Sequence, residues 1–152
     1  MVTTESQSRR VARKNTGAEL TASATKMRIE TADNWHPEWS AVLAAVQRSG
    51  QEDALMIDLD GWISARQTVL AAFNGRRVVA YLAFHVAPMK TPAGAVMVEH
   101  GRAVVEARLD AIWVAPDVAD QGIDRVLTGM AESHALMLQC RTFRHDSDQT
   151  LS

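Results

Sequence analysis

The stretch TVLAAFNGRRVVAYLAFHVAP, residues 68–88, constrains the fold more than any other part of the chain. Two apolar, β-prone runs meet at Asn74-Gly75, the dipeptide that best suits a two-residue hairpin turn because both residues tolerate positive φ. Two antiparallel strands follow. After the loop MKTPAGA, punctuated by Pro92 and Gly94, the run VVEARLDAIWV alternates again and adds a strand to the sheet. Strict alternation puts Val105, Ala107, Leu109, Ala111 and Trp113 on one face, and Glu106, Arg108, Asp110, Ile112 and Val114 on the other.

Upstream, MRIET from Met27 reads as a first strand, and DNWHPEWSAVLAAVQRSG reads as a helix with punctuation at both ends. Asp33 or Asn34 can cap it, Pro37 suits the first turn, and Gly50 can close it in a left-handed conformation. Trp39, Val42, Leu43 and Val46 recur at helical spacing and form its buried stripe. In QEDALMIDLDGW, Asp58 and Asp60 before Gly61 look like the start of a calcium loop, but the remaining ligand positions and the closing glutamate are missing, so the segment reads as a turn.

Beyond the sheet strand, WVAPDVADQGIDRVL passes from strand to loop to helix. Ile123, Val126, Leu127, Met130, Ala131 and Leu138 fall at helical spacing, which predicts a helix to about Gln139. CRTFRH reads as a last short strand and residues 146–152 as a frayed, flexible end. Residues 1–26 carry no aromatic residue and no sustained apolar period, so they read as a flexible tail with a small basic cluster, Arg9, Arg10, Arg13 and Lys14. One folded domain over 27–145 is the expectation for a chain of 152 residues.

Charge and cysteine content exclude several classes of function. A formal charge of −2 without a long single-sign run gives no electrostatic footprint for nucleic acid or an anionic membrane. Cys140 is the single cysteine, which excludes an internal disulfide and a cysteine zinc site and suits a reducing, cytoplasmic setting. No run is long and apolar enough to span a bilayer, and the first residues lack the apolar core of a secretory signal. His36, His100 and His145 lack ligand spacing, so no metal is expected, and no nucleophile-elbow pattern supports a hydrolase triad.

The loop around Gly122 has two readings. A strand that enters a loop and opens a helix leaves amide N–H groups unpaired at a positive dipole end, where phosphates bind. Gly122 lets an anion approach the backbone, and Arg125 adds charge from the first turn. On the other reading Gly122 only eases the turn and Asp120 caps the helix.

The order of elements, the hairpin VLAAFNGRRVVAYLAFHV and the segment LDAIWVAPDVADQGIDRVLTGMAESHA together resemble the GNAT superfamily of acyl-CoA-dependent N-acyltransferases, over roughly residues 27–140. The resemblance implies an α/β (α+β) fold with a mixed, mainly antiparallel sheet flanked by helices. It implies acetyl-CoA as acetyl donor, a small-molecule or peptide amine as acceptor, and an N-acetyltransferase reaction. The family's pyrophosphate loop has Arg or Gln, two residues, Gly, one residue, then Gly or Ala. Ala119 stands here at the Arg or Gln position, Gly122 matches the first glycine, and Asp124 replaces the second small residue. The resemblance puts the amides of Gln121, Gly122, Ile123, Asp124 and Arg125 around the pyrophosphate, and the main chain of Ile112, Trp113 and Val114 beside the pantetheine arm. Asp120 and Asp124 run against it, since unit charges about 4 Å apart repel by roughly 4 kcal/mol at an effective dielectric near 20.

The family's fold continues with a further helix and a closing hairpin, for which this sequence has no matching segment. A second subunit that completes the sheet, hence a homodimer, is one expectation; a catalytically inactive GNAT-like module for dimerisation or binding is the alternative. Acetylating an amine needs a base for the ammonium proton. Glu106 and Asp110, each two strand positions from Arg108, share a face and suit that task, with Glu106 placed first by resemblance to family members with an acid on this strand. An Arg108-centred ion pair is the plain alternative. His85 is a further candidate base whose partner the sequence does not assign, His134 lies beside the apolar stripe of the second helix, and Cys140 reads as packed.

Overall fold

The computed structural model describes residues 19–20 and 27–145. The expected tail and frayed end lie outside the described residues, apart from Glu19–Leu20. These form a short strand, β1, paired antiparallel with β2 (Met27–Ala32), so the expected tail over 1–26 is corrected there. With β3 (Gln67–Asn74), β4 (Arg77–Pro88), β7 (Val105–Val114) and β8 (Phe143–Arg144) they make a six-stranded sheet in the order β1-β2-β3-β4-β7-β8. Each pair is antiparallel except β7 and β8, and helix α2 (Ile123–Met137) supplies the crossover that a parallel neighbour requires. A separate small hairpin, β5 (Val98–Glu99) and β6 (Arg102–Ala103), turns on His100 and Gly101, both at positive φ.

Helix α1 (Trp39–Arg48) covers one face of the sheet and α2 the other, so β3 and β4 are buried on both sides through most of their length. Phe73, Tyr81, Val69 and Ala83 pack toward α1; Leu70, Leu82 and Phe84 pack toward α2. Burying a side chain of the size of Phe or Leu contributes roughly 1.5–3 kcal/mol, which is why these two strands centre the fold.

Two local expectations are corrected by register. In the hairpin Asn74 pairs with Arg77, so the two loop residues are Gly75 and Arg76 rather than Asn74 and Gly75. Gly75 takes a φ of 67° at the first loop position, which is the glycine-first form of a tight hairpin turn. The register then slips once, and Val79 and Ala80 both face the α2 side. A second slip on β7 pairs Phe84 with Leu109 and Ala83 with Ala111, leaving Asp110 as the extra residue. Strict alternation therefore fails beyond Leu109: Ala111 and Trp113 pack toward α1, while Ile112 and Val114 join Val105, Ala107 and Leu109 on the α2 side.

The helices keep their expected places but not their expected caps. Glu38 is the N-cap of α1 and makes no side-chain cap bond; Asp33 instead accepts the N–H of Trp35 at 2.9 Å within the preceding loop. Gly50 closes the helix with φ 77°, as expected. Ala45 replaces Leu43 in its buried stripe. In α2 the buried stripe is Ile123, Leu127, Ala131 and Ala135, while Leu138 lies past the helix end and is exposed, because Gln139 turns left-handed with φ 66°. One aspartate of the expected turn serves its backbone: Asp58 accepts the N–H groups of Asp60 and Trp62, each at 2.9 Å. Among the described residues no helix is long and apolar enough to cross a membrane.

Candidate active site

The bulge on β7 gathers polar side chains that an unbroken strand would space apart. Gln67 on β3 lies opposite His85 on β4, and His85 lies opposite Arg108 on β7, so all three share the α1-side face. Asp110 turns onto the same face: its Oδ1 lies 2.7 Å from His85 Nδ1, and its Oδ2 accepts a 2.8 Å bond from Gln67 Nε2. Gln67 is itself fixed, donating to Ala54 O at 2.9 Å and accepting the N–H of Met56 at 2.7 Å. Both carboxylate oxygens of Asp110 are therefore engaged. An imidazole that donates Nδ1–H to this carboxylate keeps the lone pair of Nε2 for an incoming group. His85 and Asp110 retain only 17% and 13% side-chain exposure, low enough for their interaction to escape most solvent screening.

Glu106 shares that face but differs in its surroundings. It is 2% exposed, with Arg108 Nε at 2.7 Å and Arg144 of β8 at 3.5 Å. A carboxylate closed to water and engaged by guanidinium groups from two strands ties β8 to β7. Asp110 rather than Glu106 stands next to an imidazole, and both members of that pair keep some exposure.

The outer edge of β7 is defined by its hydrogen-bond phase. Ala115 N–H donates to Val79 O at 2.8 Å, so in register Trp113 is bonded to Tyr81, and the main-chain groups of Ile112 and Val114 point away from β4. Of the three residues expected along the pantetheine arm, Ile112 and Val114 present N–H and C=O outward, whereas those of Trp113 are turned to β4. β8 pairs with β7 only at Ala107 and Arg108, which leaves this part of the edge beyond it. Gln51 Nε2 reaches Ile112 O at 3.3 Å and Tyr81 Oη at 3.0 Å, and the Tyr81 hydroxyl also bonds Ser49 Oγ. Burial pushes the Tyr81 phenol above its ordinary value, so it stays protonated as a fixed member of this network.

At the far end of β7, Pro116–Gln121 form a 3₁₀ turn, Gly122 takes φ 76° and ψ 18°, and α2 begins at Ile123. Asp117 is withdrawn from the loop mouth: Arg77 binds it through two bonds of 2.9 and 2.8 Å, and that guanidinium holds its carboxyl below the usual carboxylate range. Asp120 makes no cap; the N-cap of α2 is Gly122, without a side-chain bond. Arg125 and Val126 direct their N–H groups to Gly122 O, while those of Ile123 and Asp124 open the helix without an intrahelical acceptor. A β-carbon built on Gly122 would meet nothing within 4 Å, so the space beside the loop is open. Asp120, Asp124 and Arg125 are exposed, which leaves the two carboxylates free to turn into water and be screened. Donors, open space and a nearby cation suit an anionic group.

The pairing of His85 with Asp110 and the bridging role of Gln67 carry no local signature, because both depend on which residue a bulge leaves over. Asp117 reads in sequence as one of three acidic neighbours of Gly122; only its salt bridge to the start of β4 separates it from Asp120 and Asp124.

No protein-family model and no curated protein matches the sequence. Solved structures match it in shape. An aminoglycoside acetyltransferase, meta-AAC0020, from an uncultured soil metagenomic sample, in complex with trehalose, superposes with a TM-score of 0.57 at 13% identity, over 79% of this chain and 76% of that chain. A ribosomal-protein-alanine N-acetyltransferase from Brucella melitensis biovar Abortus 2308 gives 0.52 at 16% identity, over 78% of each chain. Aminoglycoside N-acetyltransferase AAC(6')-Iy in complex with CoA gives 0.53 at 15% identity, over 84% and 80%. At these identities the likeness is one of fold, a mixed and mainly antiparallel sheet flanked by helices.

Proposed function

We propose that this chain, which has the GNAT fold, is an N-acetyltransferase that moves an acetyl group from acetyl-CoA to a small-molecule or peptide amine. One observation carries the reading: Asp110, paired with His85, and the outward main-chain groups of Ile112 and Val114 follow one another along β7, which runs on into the Gly122 loop. Asp110 and Val114 are four residues apart, about 13 Å of extended chain. In this reading the amides around Gly122, from Gln121 to Arg125, hold the diphosphate, and the outward main-chain groups of Ile112 and Val114 receive the pantetheine arm as an added strand.

Acetyl-CoA supplies an acetyl group activated as a thioester. His85 Nε2 takes one proton from the substrate ammonium and passes it to solvent, while Asp110 steadies the imidazolium that forms meanwhile. The freed nitrogen attacks the acetyl carbonyl carbon; the N–C bond forms, the C–S bond breaks, and the departing thiolate takes up the second nitrogen proton. A cytoplasmic setting suits a chain whose single cysteine, Cys140, is buried with its thiol pushed up by that burial.

The second reading, a non-catalytic GNAT-fold module that pairs with another copy, draws on Asp120 and Asp124 beside the loop and on Gln51 lying against the Ile112 carbonyl. Incubation with acetyl-CoA and a panel of primary amines, with release of the CoA thiol followed over time, separates the two. The transferase reading expects release above the amine-free rate for at least one acceptor. No release with any amine, together with a melting temperature that millimolar acetyl-CoA leaves unmoved, would remove it in favour of the module.

A further inference from the structure

The loops before α1 and before β3 are tied together by one side chain. Asn34 Nδ2 donates to Gly61 O at 2.7 Å, and its Oδ1 accepts the N–H of Ile63 at 2.8 Å. This cross-tie brings Trp35 and Trp62 together, ring centroids 5.3 Å apart and planes at 51°, yet leaves them 79% and 44% exposed. Single exposed apolar side chains are ordinary on a protein surface. A tied pair of indoles at the rim of a cavity is a different arrangement. That cavity, about 270 Å³, is lined by Asp33, Asn34, Trp35, Trp62, Ser64 and Gln67 among others, and Gln67 is the residue that bonds Asp110.

The charge on the cavity lining has one sign. Among its described residues the cavity lining contains one carboxylate, Asp33, and no cationic side chain. Asp33 accepts the backbone N–H of Trp35 and Asp58 accepts that of Trp62, each at 2.9 Å, so a carboxylate lies beside the backbone of each tryptophan. Indole faces attract cations through their quadrupole, and neighbouring carboxylates add to that attraction. A neutral ring would use the faces but gain nothing from the aspartates.

We infer that Trp35 and Trp62 form a subsite for an organic ammonium group, and that the acceptor carries such a second cation beside the amine that is acetylated. The clause about the acceptor rests on the transferase reading; the subsite itself does not. Choline serves as the probe because its quaternary nitrogen cannot be acetylated, with 3,3-dimethyl-1-butanol as its neutral isostere.

In the ¹⁵N-labelled full chain, choline is expected to shift the indole N–H resonances of Trp35 and Trp62 saturably while those of Trp39 and Trp113 stay in place. The neutral isostere is expected to bind about tenfold more weakly, as is choline to Trp35→Ala or Trp62→Ala. Both substitutions are at exposed positions and should leave the melting temperature unchanged. Equal shifts with choline and its isostere would mark a merely apolar patch and overturn the inference, as would shifts undiminished in the variants or absent altogether. A chain that binds choline here but releases no thiol from acetyl-CoA keeps the subsite and loses the transferase; thiol release without choline binding does the reverse.

Discussion

Asp110→Asn is expected to lower kcat for acetyl transfer on the order of 100-fold while leaving KM for acetyl-CoA unchanged. The two side chains have nearly the same shape, so the argument rests on hydrogen atoms alone. An asparagine can keep its bond from Gln67 Nε2 only by turning its carbonyl oxygen to Gln67 and its amide to His85. The imidazole must then accept at Nδ1 and carry its proton on Nε2, where the substrate needs the lone pair. His85→Ala should lose at least as much, and the double variant should be no slower than His85→Ala, because the two residues act as one unit. Steady-state kinetics on the three proteins reads this directly. A loss below about threefold in Asp110→Asn, or independent losses that multiply, would mean that the pair is only an ion pair on the sheet face.

The second large effect is expected at Gly122. Its φ of 76° lies in the left-handed region, where a β-branched residue costs roughly 1–2 kcal/mol, so Gly122→Val should melt somewhat lower than the parent chain. That cost comes from the backbone alone, since an added β-carbon meets no neighbour within 4 Å. The same open space is where the account puts the diphosphate, so the valine methyl groups should abolish the stabilisation that millimolar CoA gives the parent. Ligand at about 100 times its Kd stabilises by about 2.7 kcal/mol, a shift easily seen in a melting curve. Gly122→Asn separates strain from bulk: asparagine tolerates positive φ, so its melting temperature should stay closer to the parent while the CoA shift is still lost. A full CoA shift in either variant would move the cofactor away from this loop.

Periodicity made most of the architecture legible. The runs around Asn74-Gly75, the alternation from Val105 to Leu109 and the helical spacing from Ile123 each reflect which face must be buried, and that information is local. Bulges are not local. Val79 and Asp110 are extra residues only relative to their partner strands, so the sequence showed neither the slip that puts Val79 and Ala80 both on the α2 side nor the one that turns Asp110 toward His85 and sends Ile112 and Val114 to the α2 side. The same limit explains the site: Glu106 and Asp110 are equivalent on an ideal strand, and only the neighbouring strands distinguish a carboxylate enclosed by arginines from one bonded to histidine and glutamine. The β5–β6 hairpin escaped notice because its strands are two residues each and exposed, with no apolar pattern to mark them.

Calorimetric titration of the parent chain with CoA, set beside pantetheine, which lacks the diphosphate, tests the central claim most directly. If the amides around Gly122 hold the diphosphate, CoA binds one per chain, at least about tenfold more tightly than pantetheine, and loses that advantage as salt rises. CoA that binds no better than pantetheine, or gives no heat at all, would contradict the account.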